Sequence, residues 1–187
     1  MALVEIVKPT LEHLPSYKAA LERSWSPDNV RLLEATREQL AAIEADPVAF
    51  LASLDDPEAK GPPVTLPDGT KVPRLPGFRR WIWDGEAAGS IGFRWQHGTA
   101  ALPPHVLGHI GYAVVPWKRR RGYATEALRL MLAEARAVGL PFVEITAKPG
   151  NPASHKAITA NGGRLVGHFF EDAAYGGAES LRFRIEL

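Results

Sequence analysis

The chain contains no cysteine in 187 residues. That excludes a disulfide scaffold, a thiolate-held iron–sulfur cluster, a Cys zinc site and a cysteine nucleophile. It also has no apolar run of about 18 residues or more, the length a membrane-spanning helix needs. Charge of one sign is scarce: Lys+Arg 22 against Asp+Glu 21 leaves +1, which argues against a protein built mainly to coat nucleic acid. No fixed-period repeat is present, so solenoids and propellers are not expected. The start, MALVEIVKPT, lacks the charged-then-apolar pattern of a secretory leader, and a cytoplasmic location with no membrane partner is expected. What remains, 45% hydrophobic and 23% charged, is the make-up of a soluble globular chain about one domain long.

Alternation over residues 3–8 (LVEIVK) predicts a short strand, and Pro9-Thr10 opens a helix to about Glu22. A second helical stretch runs from Val30 to Leu54 and breaks at Pro47, which cannot continue the hydrogen-bond ladder. Six of the 16 prolines fall between Pro57 and Pro76, around an Asp68-Gly69 turn signal. That reads as a hairpin excursion rather than a linker. Phe78–Trp83 and Ala87–Trp95 flank Asp84-Gly85-Glu86, an antiparallel hairpin signal. A strand Val106–Val115, a helix Gly122–Val138, a strand Phe142–Ala147 and a short helix from Pro152 to about Asn161 follow. Strands Arg164–Glu171 and Ser180–Leu187 close the chain. Strands with interspersed helices predict an α/β, or mixed α+β, fold.

The densest signal is residues 109–139, HIGYAVVPWKRRRGYATEALRLMLAEARAVG. Ala124, Ala127, Leu128, Met131, Ala135 and Val138 recur at helical spacing on one face, and Gly139 with Pro141 supplies the stop. The first N–H groups of a helix lack intrahelical acceptors, and its dipole makes that end electropositive. Gly122 lets a ligand approach the backbone, and Arg119, Arg120 and Arg121 add charge, so a diphosphate cradle is one reading. A solvated basic turn before a surface helix is the other. No GxxxxGK[ST] or GxGxxG motif is present.

With these segments the chain resembles the GNAT superfamily of acyl-CoA N-acyltransferases. Arg119-Arg120-Arg121-Gly122-Tyr123-Ala124 matches its Q/R-x-x-G-x-G/A cofactor motif, with HIGYAVVP before, TEAL after, then NPAS and NGG in family order. The resemblance covers about residues 78–170. It implies one domain over 1–187, with 1–77 supplying the N-terminal strand, helices and proline-rich excursion and 78–187 the core. It implies a twisted mixed sheet flanked by helices, with a splayed central strand pair, Val106–Val115 and Phe142–Ala147, holding acetyl-CoA. Backbone groups of Val114, Val115 and Pro116 would pair with the pantetheine. The amides of residues 120–125, through Tyr123, Ala124 and Thr125, would hold the pyrophosphate. Asn151 and Ser154 would line the thiol side, although Asn151 is also a natural cap for the helix that Pro152 begins.

Acetyl transfer to an amine needs a neutral nucleophile, a polarised carbonyl and a proton for the leaving thiolate. The resemblance places His109 where the family often has a Glu base; the other reading of a lone strand histidine is a buried structural one. The family's frequent acid, a Tyr seven residues after the Asn, is replaced by Ile158, leaving Ser154, an ordered water or direct protonation of the thiolate in its place. Val114 or Val115 N–H is the expected oxyanion donor. Tyr112 and Tyr123 are alternative acids, but strand alternation separates Tyr112 from His109 and Tyr123 is expected to pack. Trp25, Trp81, Trp83 and Trp95 read either as an acceptor-pocket lining or, more commonly, as packing aromatics. No histidine pair has metal-ligand spacing, so no metal is predicted. The function expected is acetyl-CoA-dependent N-acetyltransfer to a primary amine, with a homodimer allowed by the family. A catalytically silent acyl-CoA-binding regulator and a nucleic-acid-binding module using Trp117–Arg121 are the alternatives.

Overall fold

The computed structural model describes residues 3–187. Two antiparallel sheets carry the fold. In the first, β1 (Glu5–Val7), β5 (Gly77–Trp83), β6 (Ala87–Arg94) and β7 (Ile110–Val114) lie side by side, and β2 (Asp55–Asp56) also pairs with β5. In the second, β10 (Glu179–Glu186) runs between β8 (Phe142–Ala147) and β9 (Arg164–Phe170). The excursion folds as a hairpin of β3 (Val64–Thr65) and β4 (Lys71–Val72), turned at Gly69. The strand pair expected to splay is β7 and β8: no ladder joins them, and every strand pairing among the described residues is antiparallel.

Five α-helices flank the sheets among the described residues: α1 (Leu14–Glu22), α2 (Leu32–Ala45), α3 (Pro47–Ser53), α4 (Tyr123–Ala137) and α5 (Pro152–Ala160). The predicted break at Pro47 has a local cause. Asp46 leaves the helix in an extended conformation, and its carboxylate accepts from Val48 N–H at 3.0 Å and Ala49 N–H at 2.9 Å. Pro47 then needs no donor at the first helical position. The first helix starts later than Pro9-Thr10 predicts. Residues 10–13 form a turn tied by Thr10 Oγ1 and His13 Nδ1 at 2.9 Å, and α1 follows at Leu14. β7 is likewise shorter than predicted, because Val106 N–H closes a turn on Pro103 O at 2.9 Å instead of joining a ladder.

Leu128, Met131, Leu132 and Ala135 of α4 are buried against Ile82, Ile91 and Phe93 of the first sheet and Val143, Ile145 and Phe183 of the second. One helix thus fastens both sheets. Each such side chain contributes about 1.5–3 kcal/mol by leaving water, and Leu128→Ala would cost about 2–5 kcal/mol. On the opposite face Tyr17 of α1 stacks on Trp81, ring centroids 4.0 Å apart and 11° from parallel. Trp25, Trp81 and Trp95 are buried, as their reading as packing aromatics expects.

Candidate functional site: a splayed strand pair closed by a capless helix

The two sheets meet at one point beside β7 and β8. His109 N–H donates to Glu144 O at 2.7 Å, and Glu144 N–H donates to His109 Nδ1 at 2.9 Å. Gly108 permits the approach, since a Cβ there would sit 2.9 Å from Glu144 O. Toward Val114 and Ala147 the strands have no ladder between them, which leaves the backbone of β7 open on that side.

This junction decides what His109 can do. Its Nδ1 lone pair is occupied by Glu144 N–H, so the neutral ring carries its proton on Nε2. That atom is buried without a partner. Burial holds the imidazole below its usual pKa, and the residue is 1% exposed. In this form neither nitrogen offers a free lone pair to a substrate. These contacts fit the structural one of the two readings given for His109, a clamp between the two sheets, and a base role would need a ring nitrogen released from them.

Val115 N–H is also committed, donating to Ala88 O at 3.0 Å. Alternation turns the next backbone groups inward along the strand to the opposite, open edge. There the Val114 carbonyl accepts from Arg119 Nε at 3.1 Å, and the Tyr112 carbonyl accepts from Asn29 Nδ2 at 2.9 Å. Of the two expected oxyanion donors, Val114 N–H faces the splay and Val115 N–H does not. Pro116 is exposed and opens a single 3₁₀ turn over Pro116–Lys118.

The α4 entrance follows. Gly122 caps the helix with φ +80° and has no side chain to fill the cap. The first intrahelical bond is Glu126 N–H to Gly122 O at 3.0 Å. The N–H groups of Tyr123, Ala124 and Thr125 therefore lie ahead of any intrahelical acceptor. Gly122 is exposed and a Cβ on it would meet nothing within 4 Å, so no other part of the chain covers the cap position. Arg120 and Arg121 are exposed beside it.

Lys118 departs from the basic turn. It is buried, with Nζ 2.5 Å from Asp84 and 2.8 Å from Glu86. Tyr123 OH donates to the other Asp84 oxygen at 2.5 Å. Burial alone would raise Asp84, but the ammonium and the hydroxyl outweigh it and hold the carboxyl below its usual range. Lys118 is a strut between the β5–β6 hairpin and α4, and the free cations here are arginines.

Across the splay, Tyr112 OH and Ser154 Oγ lie 2.9 Å apart. Burial raises the Tyr112 pKa, so its proton stays on. Asn151 Oδ1 accepts from Ser154 N–H at 3.2 Å, the capping role expected for it, and fixes the start of α5. At the other end of α5, Asn161 Nδ2 donates to Thr125 O at 3.0 Å, tying α5 to the first turn of α4. Ile158 is wholly buried and has no proton to give.

A family profile described as an acetyltransferase (GNAT) domain matches residues 69–164, 96 of the 187 residues. The chain belongs to the GNAT acetyltransferase family. No curated protein matches it. Solved structures share its fold at low identity. The microcin C7 self-immunity acetyltransferase MccE, in complex with acetyl-CoA and AMP, is 13% identical with TM-score 0.62, covering 98% of this chain and 92% of that one. RimL, a ribosomal L7/L12 α-N-protein acetyltransferase in complex with coenzyme A, is 14% identical with TM-score 0.62, covering 100% and 96%. RimJ of Mycobacterium smegmatis, in complex with a CoA disulfide, is 18% identical with TM-score 0.58, covering 98% and 81%. In this acetyltransferase the profile spans the α4 entrance, β7, β8 and α5, the elements that build the splay.

Sequence reasoning about this GNAT chain set Tyr112 aside and missed Asn161 and the Asp84–Lys118 pair. The NGG segment was a signal for Asn161. Nothing local announces Tyr112, whose partner lies 42 residues away. Among the described residues, no group of three or more His, Asp or Glu could hold a metal.

Proposed function

We propose that the protein is an acetyl-CoA-dependent N-acetyltransferase that moves the acetyl group directly to a primary amine of a small molecule or peptide. One observation carries the reading: a helix start with free amides and no capping side chain, its cap position uncovered beside arginines, at the mouth of a strand splay. The residues fit the co-substrate. The amides of Tyr123, Ala124 and Thr125 would take the diphosphate together with Arg120 and Arg121. Arg119 holds the Val114 carbonyl, which leaves Val114 N–H as the donor for the pantetheine arm or the thioester oxygen. Acetyl-CoA supplies the activated acyl group.

Val114 N–H steadies the oxygen that gathers charge as the amine attacks. Ser154 then gives its proton to the departing thiolate, and the proton that the amine loses on forming the amide returns to Ser154 through solvent, while Tyr112 keeps its own proton and holds the Ser154 hydroxyl in place. With no cysteine in the chain, direct transfer is the simpler route. His109 is a positioning residue that sets the splay. Burial of Lys118 takes one cation out of the Trp117–Arg121 patch and weakens the nucleic-acid alternative. A homodimer and a cytoplasmic site of action remain part of the proposal.

The test is thiol release from acetyl-CoA across a panel of primary amines. Turnover is expected with at least one, and Ser154→Ala should lower kcat about 100-fold with little change in acetyl-CoA affinity. Tight acetyl-CoA binding with no turnover on any amine would instead favour the silent regulator.

A further inference from the structure

The face of the first sheet opposite α4 carries two arginines with no partner of opposite charge. β5 and β6 pair with Arg79 opposite Gly92 and Gly77 opposite Arg94, so the arginines are diagonal neighbours on one face. Arg79 lies over Gly92: a Cβ built there would be 3.6 Å from its Cζ and Nη2. Its Nη1 donates to Ser90 Oγ at 3.2 Å, and Arg94 Nε donates to Gly108 O at 2.8 Å. Neither has a carboxylate within 4.0 Å among the described residues, whereas Arg80, Arg31, Arg129 and Arg184 each have one. Asp28 acts on Arg94 through space without an ion pair between them. That carboxylate is turned to its own loop, accepting from Val30 N–H at 2.7 Å and Arg31 N–H at 2.8 Å. Arg94 is exposed on this face and Arg79 half-buried.

The sheet between these arginines and the splay is bare. Gly92 pairs with Gly111, so neither strand raises a side chain there. Gly111 is exposed, and a Cβ on it would meet nothing within 4 Å. From Gly111 the strand runs three residues, about 10 Å, to Val114. Asn29 from the α1–α2 connection borders this strip through the Tyr112 carbonyl. Tyr175 from the β9–β10 connection, whose hydroxyl donates to His105 O at 2.8 Å, lies on the Arg94 side.

Two guanidiniums left facing each other repel, and an oxyanion between them removes that cost while using their free N–H groups. Resting on the transferase reading, we propose that Arg79 and Arg94 form the acceptor subsite and select a primary amine carrying a carboxylate or phosphate roughly 10 Å from the nitrogen. A short peptide with a free N-terminus and an acidic third residue fits that spacing.

The experiment compares tripeptide amides with a free N-terminus and glutamine, glutamate, phosphoserine or lysine at the third position. The readout is kcat/KM by thiol release at saturating acetyl-CoA. Glutamate and phosphoserine peptides should exceed the glutamine peptide by about 10- to 100-fold, and their ratio tells which oxyanion is preferred. Arg79→Gln and Arg94→Gln should bring the preference toward one, and Arg94→Glu should turn it toward the lysine peptide. Thermal unfolding confirms that each variant is folded. Equal rates for all four peptides, or a preference unchanged in both Gln variants, would overturn the subsite while leaving the transferase reading intact. If no peptide turns over, calorimetric titration of the same peptides into the CoA complex decides. Selective binding of the anionic peptides that is lost in the variants supports the subsite, and indifferent or absent binding overturns it. Failure of acetyl-CoA itself to bind would sink the transferase reading instead.

Discussion

At the entrance to α4 positive charge is contiguous in the chain, Lys118 through Arg121. Over the β5–β6 hairpin it is assembled from Arg79 and Arg94, on separate strands. The first cluster stands out in the sequence, yet the structure withdraws Lys118 into a buried pair with Asp84 and Glu86. The second is invisible until strand register is known, yet both of its guanidiniums lack a carboxylate. Adjacency in sequence thus overstates one cationic site and hides the other, because free charge depends on what the fold places opposite each group.

The strongest way to break the first cluster apart is Lys118→Ala. It leaves the Asp84 carboxylate buried beside Tyr123 without its cation, a loss of about 3–5 kcal/mol of stability by urea unfolding. A change below about 1 kcal/mol would mean that Lys118 is a surface cation after all. Next comes His109→Ala, expected to cost about 2–4 kcal/mol through the lost clamp and the void. The sign of its pH dependence follows from burial. Its folded pKa lies below the unfolded value of about 6.5, so the unfolded state takes up the proton first. Wild-type stability is therefore full above pH ~6.5 and falls as pH drops below it, and the variant should lose that share of the slope. An acid limb of the rate profile that disappears in a folded His109→Asn variant would restore the imidazole as base. The smallest effect belongs to Arg120→Gln: stability within about 0.5 kcal/mol, with CoA affinity lowered about 3- to 10-fold and less so at high salt. Equal stability losses for Lys118 and Arg120 substitutions would erase the distinction.

Elements set by local chemistry were legible in the sequence. The Pro47 break follows from a capping Asp46, the β5–β6 hairpin from Asp84-Gly85-Glu86, and the α4 stop from Gly139 at φ +85°. The α4 entrance was legible too, because a helix start is contiguous. What escaped depends on groups far apart in the chain. Alternation along β7 separates Tyr112 from His109, which led away from Tyr112. Ser154 brings it into the site, and that contact needs α5 packed across the splay. The point where the splayed strands still touch was hidden for a related reason. Strand pattern shows that β7 and β8 are apolar, but not that they touch only where Gly108 admits Glu144.

The central claim, that the capless start of α4 holds the diphosphate of acetyl-CoA, is tested most directly by calorimetric titration of CoA and of pantetheine, which lacks the nucleotide and its diphosphate. The account predicts that CoA binds and that pantetheine binds at least about 100-fold more weakly. Equal affinities, or no CoA binding at all, would contradict it.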